Sequence, residues 1–276
     1  MIEALRRLIT APPPRPAPRL ARVPQGERYY VIGDIHGRLD LFGAMIEGIE
    51  ADDRAHGRAA SHVILLGDLV DRGPDSAGVI AAARAWQERR SVRILMGNHE
   101  EMFLDSFERP EVLRHFLKHG GAETLASYGI DRKELAMRDP EDLLGMIAAF
   151  VPERDIDFIA GFEEMIIAGD YCFVHAGIDP TSPINAQKRS DLLWIRERFL
   201  NHEGPLAKVV VHGHTIFERV IDCGNRIGID TGAFRSGVLT ALVLEGDQRR
   251  IMQAIAHGPA QGREVEVFHG ERARAS

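Results

Sequence analysis

The chain has 276 residues, of which 45% are hydrophobic and 27% charged. That is the composition of a globular chain large enough to bury a sizeable core. A formal net charge of −7 excludes the overall basic footprint of a nucleic-acid binder, and there is no run of roughly 18 apolar residues to cross a membrane.

In chain order, Met1–Ile9 is short, amphipathic and interrupted by two arginines, without the apolar core and cleavage site of a signal peptide. Ala11–Pro18 holds five prolines in eight residues and cannot be regular helix or central strand. Residues 1–26 therefore read as a flexible Pro-rich leader, with a docking segment as the second reading. The domain is expected over residues 27–258. Tyr29–Ile32 reads as a buried strand ending in Gly33-Asp34, and Leu39, Phe42, Met45, Ile46 and Ile49 recur at helical spacing after it. Val63–Leu66 is a second strand ending in Gly-Asp. A second helix carries Val79, Ile80, Ala83 and Trp86, and a third strand, Val92–Met96, ends in Gly97-Asn98-His99-Glu100. This β-α-β-α-β order puts polar loops at the C-terminal ends of strands, where open α/β sheets build their sites.

Residues 101–162 read as a helical insertion over one rim of the site, with turns near Gly120-Gly121, Gly129 and Pro152. From Met165 the pattern becomes β. Met165–Ala168 and Tyr171–His175 flank a Gly169-Asp170 hairpin turn, and Val209–Val211 leads into His212-Gly213-His214-Thr215. Further strands are expected at Arg219–Asp222, Arg226–Asp230, Val238–Leu244 and Arg250–Ala256, so the second half reads as rich in antiparallel pairs. Two packed sheets follow from this division. Residues 259–276 read as a polar, frayed tail. Cys172 and Cys223 read as buried thiols of a reducing compartment, which points to the cytoplasm.

Five loops carry the chemistry: Gly33-Asp34-Ile35-His36-Gly37, Gly67-Asp68-Leu69-Val70-Asp71-Arg72-Gly73, Gly97-Asn98-His99-Glu100, His175-Ala176-Gly177 and His212-Gly213-His214-Thr215. Taken singly, a Gly-Asp after a strand is a turn, Gly-Asn-His is a helix cap, and His175 is a satisfied core histidine. Recurrence decides against that reading. Five of the 12 histidines fall in these loops, all at strand ends and beside carboxylates and an amide. Carboxylate, imidazole and amide oxygen together suit Mn, Fe or Zn, and the glycines let ions and phosphate approach the backbone.

The series GDIHG, GDLVDRG, GNHE, HAG and HGHT, spread over residues 28–256, resembles the calcineurin-like metallophosphoesterases, and more narrowly the bacterial members of the PPP-type serine/threonine protein phosphatase family. The resemblance implies a four-layer α/β/β/α sandwich and two divalent metal ions, with Mn expected and Fe or Zn as alternatives. By position in the motifs, Asp34 and His36 would bind the first ion, Asp68 would bridge both, and Asn98, His175 and His214 would bind the second. His212 takes a supporting place. His99 resembles the general acid and Asp71 the carboxylate that orients it. Arg72 and Arg196 resemble the phosphate-binding arginines; Arg235 is a weaker candidate, better read as a solvated loop residue.

The reaction implied is hydrolysis of a phosphate monoester by water activated between the ions, with a phosphoprotein or a small phosphate ester as substrate. Two other functions compete. A diadenosine tetraphosphate hydrolase would share the metal core, and a non-catalytic metal-binding module would not need an acid and arginines. Asp71 and Glu100 favour the phosphatase.

Overall fold

The computed structural model describes residues 20–257 and 264–271, so the leader lies outside the described residues up to position 19. The chain runs β1 (Glu27–Ile32), α1 (Leu39–Ala55), β2 (Ala60–Leu65), α2 (Ser76–Gln87) and β3 (Val92–Ile94). Both strand pairs are parallel. Next come α3 (Asn98–Asp105), α4 (Pro110–Phe116), a π-helical turn at Leu117–Gly121, α5 (Ala122–Ser127), α6 (Arg132–Met137), α7 (Pro140–Phe150) and α8 (Glu153–Ala160). The second half holds β4 (Met165–Ala168), β5 (Tyr171–Val174), α9 (Arg189–Trp194), α10 (Glu197–Leu200), β6 (Val209–His212), β7 (Ile221–Asp222), β8 (Arg226–Gly228), α11 (Ala233–Ser236), β9 (Val238–Glu245), β10 (Gln248–His257) and β11 (Glu264–Glu271).

Among the described residues the strands form two sheets, ordered β11-β10-β9-β1-β2-β3 and β4-β5-β6-β8-β7. Alternation along the strands builds the layers, because successive side chains point to opposite faces. Tyr30 and Ile32 of β1 join α1, α2 and the helices between β3 and β4 in one core. Tyr29 and Val31 face the other way and meet Ile166, Tyr171, Phe173, Val211 and Ile227 between the sheets. Cys172, Val174 and Val210 then face outward, under Leu192, Ile195 and Phe199 of the α9–α10 region. Three apolar interfaces thus separate four layers, helix, sheet, sheet and helix. The face of α1 carrying Leu41, Phe42, Met45 and Ile49 is buried, and each such side chain contributes about 1.5–3 kcal/mol. Asp75 caps α2 by accepting from Gly78 N at 2.8 Å.

The structure departs from the sequence expectations in four places. β9, β10 and β11 join the first sheet, with β9 antiparallel to β1. The second half is therefore split between sheets, and β5-β6 and β6-β8 pair in parallel. Residues 264–271, read as part of a polar tail, are strand. Val267 there packs toward α1, where a Cβ on Gly48 would lie 2.9 Å from it. The end of the leader is docked: Val23 N donates to Gly246 O at 3.1 Å, and Arg22 exchanges bonds with Asp170. Cys223 is exposed while Cys172 is buried, and both are unpaired. No described helix is long and apolar enough to cross a membrane.

Candidate metal centre

The parallel strands β1, β2 and β3 of one sheet, and β5, β6 and β8 of the other, end in loops that meet. His36 N and Ile35 N donate to Asp68 O, Gly213 N to His175 O, and His175 Nδ1 lies 2.8 Å from Leu66 O across the two sheets. Glycine makes the closest approaches possible. A Cβ on Gly213 would lie 2.1 Å from Asp34 Oδ1, and one on Gly97 would lie 2.2 Å from Asp68 Oδ1. Among the described residues, the non-glycine residues with positive φ are His36, Asp68, Asp71, Arg72 and His214. All five are expected site residues. Such backbone costs on the order of 1–3 kcal/mol per residue and persists where surrounding structure enforces it, typically at functional sites.

Asp68 stands at the centre. Its Oδ2 is 3.5 Å from His36 Nε2, and its Oδ1 is 3.4 Å from His175 Nε2. Two groups of ligand-bearing side chains share it: His36, Asp68 and His99, and Asp68, His175 and His214. Asn98 Oδ1 lies 2.9 Å from His175 Nε2 and 2.7 Å from His214 Nδ1. His36 Nδ1 and His175 Nδ1 each face a backbone carbonyl at 2.8 Å, which fixes the proton there and turns the Nε2 lone pair inward. Burial holds His36, His175 and His214 below the usual imidazole range, His214 at about 2.

The neutral His175 imidazole therefore points its Nε2 lone pair at the Asn98 and Asp68 oxygens in a dry site. Acceptors facing acceptors are reconciled by a cation between them. His214 Nε2 is also buried with no hydrogen-bond partner. The surrounding carboxylates carry the same message. Burial, then the charges of Asp230 and Asp68, raises Asp34 well above the carboxylate range, and burial raises Asp230 to about 6. The residues present thus fit divalent metal, in N/O chemistry. Asp34 is placed differently from the simplest expectation: both its oxygens accept from His214 N, at 3.0 and 3.2 Å.

Beside the metal-type cluster lies an acid pair. His99 Nδ1 is 2.6 Å from Asp71 Oδ2, and both residues are buried. Burial opposes charge on His99, but Asp68 and the bond to Asp71 outweigh it, and its pKa is raised. Arg72 reaches between the histidines, with Nη1 2.6 Å from His36 Nε2 and Nη2 2.8 Å from His99 Nε2. Its guanidinium lies over the Phe234 ring at 4.9 Å. Arg196 stands apart, exposed at the N-terminus of α10. Its charge adds to burial in lowering His175 and His214. Arg235 is also exposed, and His212 is buried between Phe199 and Phe217.

Three residues matter that the motifs did not assign. Glu100 accepts backbone N–H from Asp68, Leu69, Val70 and Gly97 at 2.7–3.1 Å, locking the second loop to the third. Asp230 follows β8 in Gly-Ile-Asp-Thr-Gly, a sixth strand-end loop whose form was visible in the sequence. Thr124 of α5 bonds Asp71 and has no local sequence signal.

Residues 27–230 match the calcineurin-like phosphoesterase family. The chain is 30% identical to serine/threonine-protein phosphatase 1 of Salmonella typhimurium, over 76% of this chain and 89% of that protein. It is 27% identical to an asymmetrical bis(5'-nucleosyl)-tetraphosphatase of Halalkalibacterium halodurans, over 78% and 89%. Among solved structures, the cold-active protein-tyrosine phosphatase of a psychrophilic Shewanella superposes with a TM-score of 0.52 at 17% identity, covering 88% of this chain and 83% of that one. The last similarity bears on the fold alone.

Proposed function

The chain belongs to the calcineurin-like phosphoesterase family, and from that premise we propose that it is a serine/threonine protein phosphatase hydrolysing phosphate monoesters. Two divalent ions, Mn by preference, would be held by Asp34, His36 and Asp68 and by Asp68, Asn98, His175 and His214. Bound there, such ions supply positive charge to phosphate oxygens and lower the pKa of water. We keep His99 out of the ligand set because its Nδ1 is committed to Asp71 and its Nε2 is the group placed to give a proton.

The protein's own side chains do the rest. Arg72 offers a planar pair of donors to phosphate oxygens, and Arg196, exposed and apart from it, would be a second phosphate donor. Once Arg72 turns from His99 Nε2, to which it donates here, onto phosphate, the protonated His99 gives its Nε2 proton to the departing alkoxide. Asp71 keeps the imidazole in the tautomer and orientation that this requires. No side chain needs to be phosphorylated. The unpaired thiols of Cys172 and Cys223 support a reducing, cytoplasmic setting.

The observation that carries the substrate class is the His99–Asp71 pair at 2.6 Å. A serine or threonine alkoxide is a poor leaving group and needs a proton, whereas a nucleotide phosphate leaves as a stabilised anion. The bis(5'-nucleosyl)-tetraphosphatase relative makes the dinucleotide the alternative to test. Purified protein with Mn should turn over a phosphoserine peptide with higher kcat/KM than diadenosine tetraphosphate. A dinucleotide preference of roughly a hundred-fold would overturn the phosphatase assignment and leave the metal proposal standing.

A further inference from the structure

We infer that Thr124, contributed by α5 of the helical segment between the sheets' strands, is a positioning residue for the acid pair: its hydroxyl fixes Asp71, and Asp71 in turn aims His99. The inference rests on the acid role proposed for His99. Asp71 is fully buried and its backbone is held at φ 73°. Its carboxylate has two partners. Oδ2 meets His99 Nδ1 at 2.6 Å, and Oδ1 accepts from Thr124 Oγ1 at 2.6 Å. A hydroxyl has one proton, so the rest of the network follows. Thr124 gives that proton to Asp71 Oδ1. Ser76 Oγ, 2.9 Å away, must then donate to Thr124, and Asp71 N–H donates to Thr124 Oγ1 at 2.8 Å and to Ser76 Oγ at 3.0 Å. Thr124 is itself fully buried. With both oxygens held, the carboxylate cannot rotate away from the imidazole.

The helical segment is also anchored to the same loop at Arg72 and to the first turn of α2 that follows it. Arg72 N donates to Gly120 O at 3.1 Å, and Ala77 N donates to Ser127 Oγ at 3.0 Å. A Cβ on Gly120, whose φ is +110°, would lie 2.6 Å from Arg72 N, so the two backbones touch there. The segment therefore grips the loop that carries both the partner of the acid and the phosphate-binding arginine. This gives the helices a catalytic purpose that a lid over the rim does not require. Loss of the Thr124 donor frees one oxygen of a buried carboxylate, and a misaimed acid penalises the leaving group that most needs a proton.

The test uses the full chain with Mn and a series of phosphate monoesters from p-nitrophenyl phosphate to phosphoserine. Thr124→Val should lower kcat on phosphoserine by roughly ten-fold or more, with KM little changed. The loss on p-nitrophenyl phosphate should be under about three-fold, because nitrophenolate leaves without a proton. Thr124→Ser, which keeps the hydroxyl, should restore both rates. Should the valine variant not fold, Thr124→Ala reports the same donor loss without the extra methyl contact. Equal losses across the series, or a serine variant as impaired as the valine one, would overturn the inference. His99→Asn run in parallel separates the two claims. If it shows no leaving-group dependence, the acid assignment falls and takes this inference with it. If it does and the Thr124 variants do not, only the role of Thr124 falls.

Discussion

In the proposed reaction His99 supplies a proton and Arg72 holds phosphate, and although the two side chains touch, their variants should fail differently. His99→Asn keeps the size of the side chain and removes the acid. Metal content should be unchanged, and kcat on phosphoserine should fall by about a hundred-fold or more, with a smaller loss on p-nitrophenyl phosphate. Steady-state kinetics on both substrates, beside metal analysis, check this; equal losses count against the acid role. Arg72→Ala should also retain metal, because Arg72 supplies no ligand and its removal leaves His36 Nε2 free to bind. What it loses is a pair of donors for phosphate oxygens, so inorganic phosphate should inhibit it at least about ten-fold more weakly. Unchanged phosphate inhibition would show that Arg72 does not hold phosphate. The sequence placed both residues in glycine-rich strand-end loops, where the structure has them beside each other, but the roles assigned to them come from the resemblance to the phosphatase family and not from local order.

The loops themselves are held by partners that local order does not reveal. Glu100 opens α3 and ties its N-terminus to the β2–α2 loop by accepting from three backbone N–H groups of that loop and from Gly97 N, two on each oxygen. Burial, then the charge of Asp68, raises its carboxyl to about 7. Glu100→Gln presents an amide NH2 where two of those N–H groups point. Leaving them unsatisfied costs about 1–3 kcal/mol, a fall of about 2–10 °C in Tm, and the shifted Asp68 should hold metal less tightly. Calorimetry with metal analysis tests this, and an unchanged Tm would mean that the four bonds carry no stability. The motif named Glu100 without exposing its role, since its acceptor geometry exists only once two strands lie side by side. Thr124 was harder still. Its segment reads as ordinary helix, and it meets Asp71 across 53 residues of sequence. Asp230 was missed despite its strand–glycine setting, because Gly228-Ile229-Asp230-Thr231-Gly232 carries no second charged or imidazole side chain. β11 was missed because an edge strand with one face exposed is polar enough to pass for a tail, and the clue, Val267 against α1, is tertiary.

Folding gathers Asp34, Asp68, Asp230 and Glu100 into one buried cluster with neutral imidazoles, and this makes stability depend on metal and pH together. Burial raises Asp230 to about 6, and it raises Asp34 as well. A carboxylate whose folded pKa is raised favours folding while protonated. Its contribution is full below about pH 3.8 and is lost as pH climbs through about 6. In metal-free protein at neutral pH, Asp34 and Asp230 therefore oppose folding, whereas Asp68, which against its burial the surrounding imidazoles hold low, does not. A divalent ion replaces those protons, and it also needs His36, His175 and His214 neutral, so its stabilising effect should grow across the same window. At a concentration of about a hundred times Kd, one site contributes about 2.7 kcal/mol. That corresponds to a rise in Tm of about 5–10 °C for a chain of this size. Calorimetry with Mn or EDTA should show that rise near pH 7.5, and less than half of it near pH 5. Asp230→Asn removes one raised carboxyl and should lift the Tm of the metal-free protein at about pH 7.5 while flattening the pH dependence. An Mn-induced shift of equal size at both pH values would mean that protons and metal do not compete for these groups. The clustered carboxylates would then have some other counter-charge.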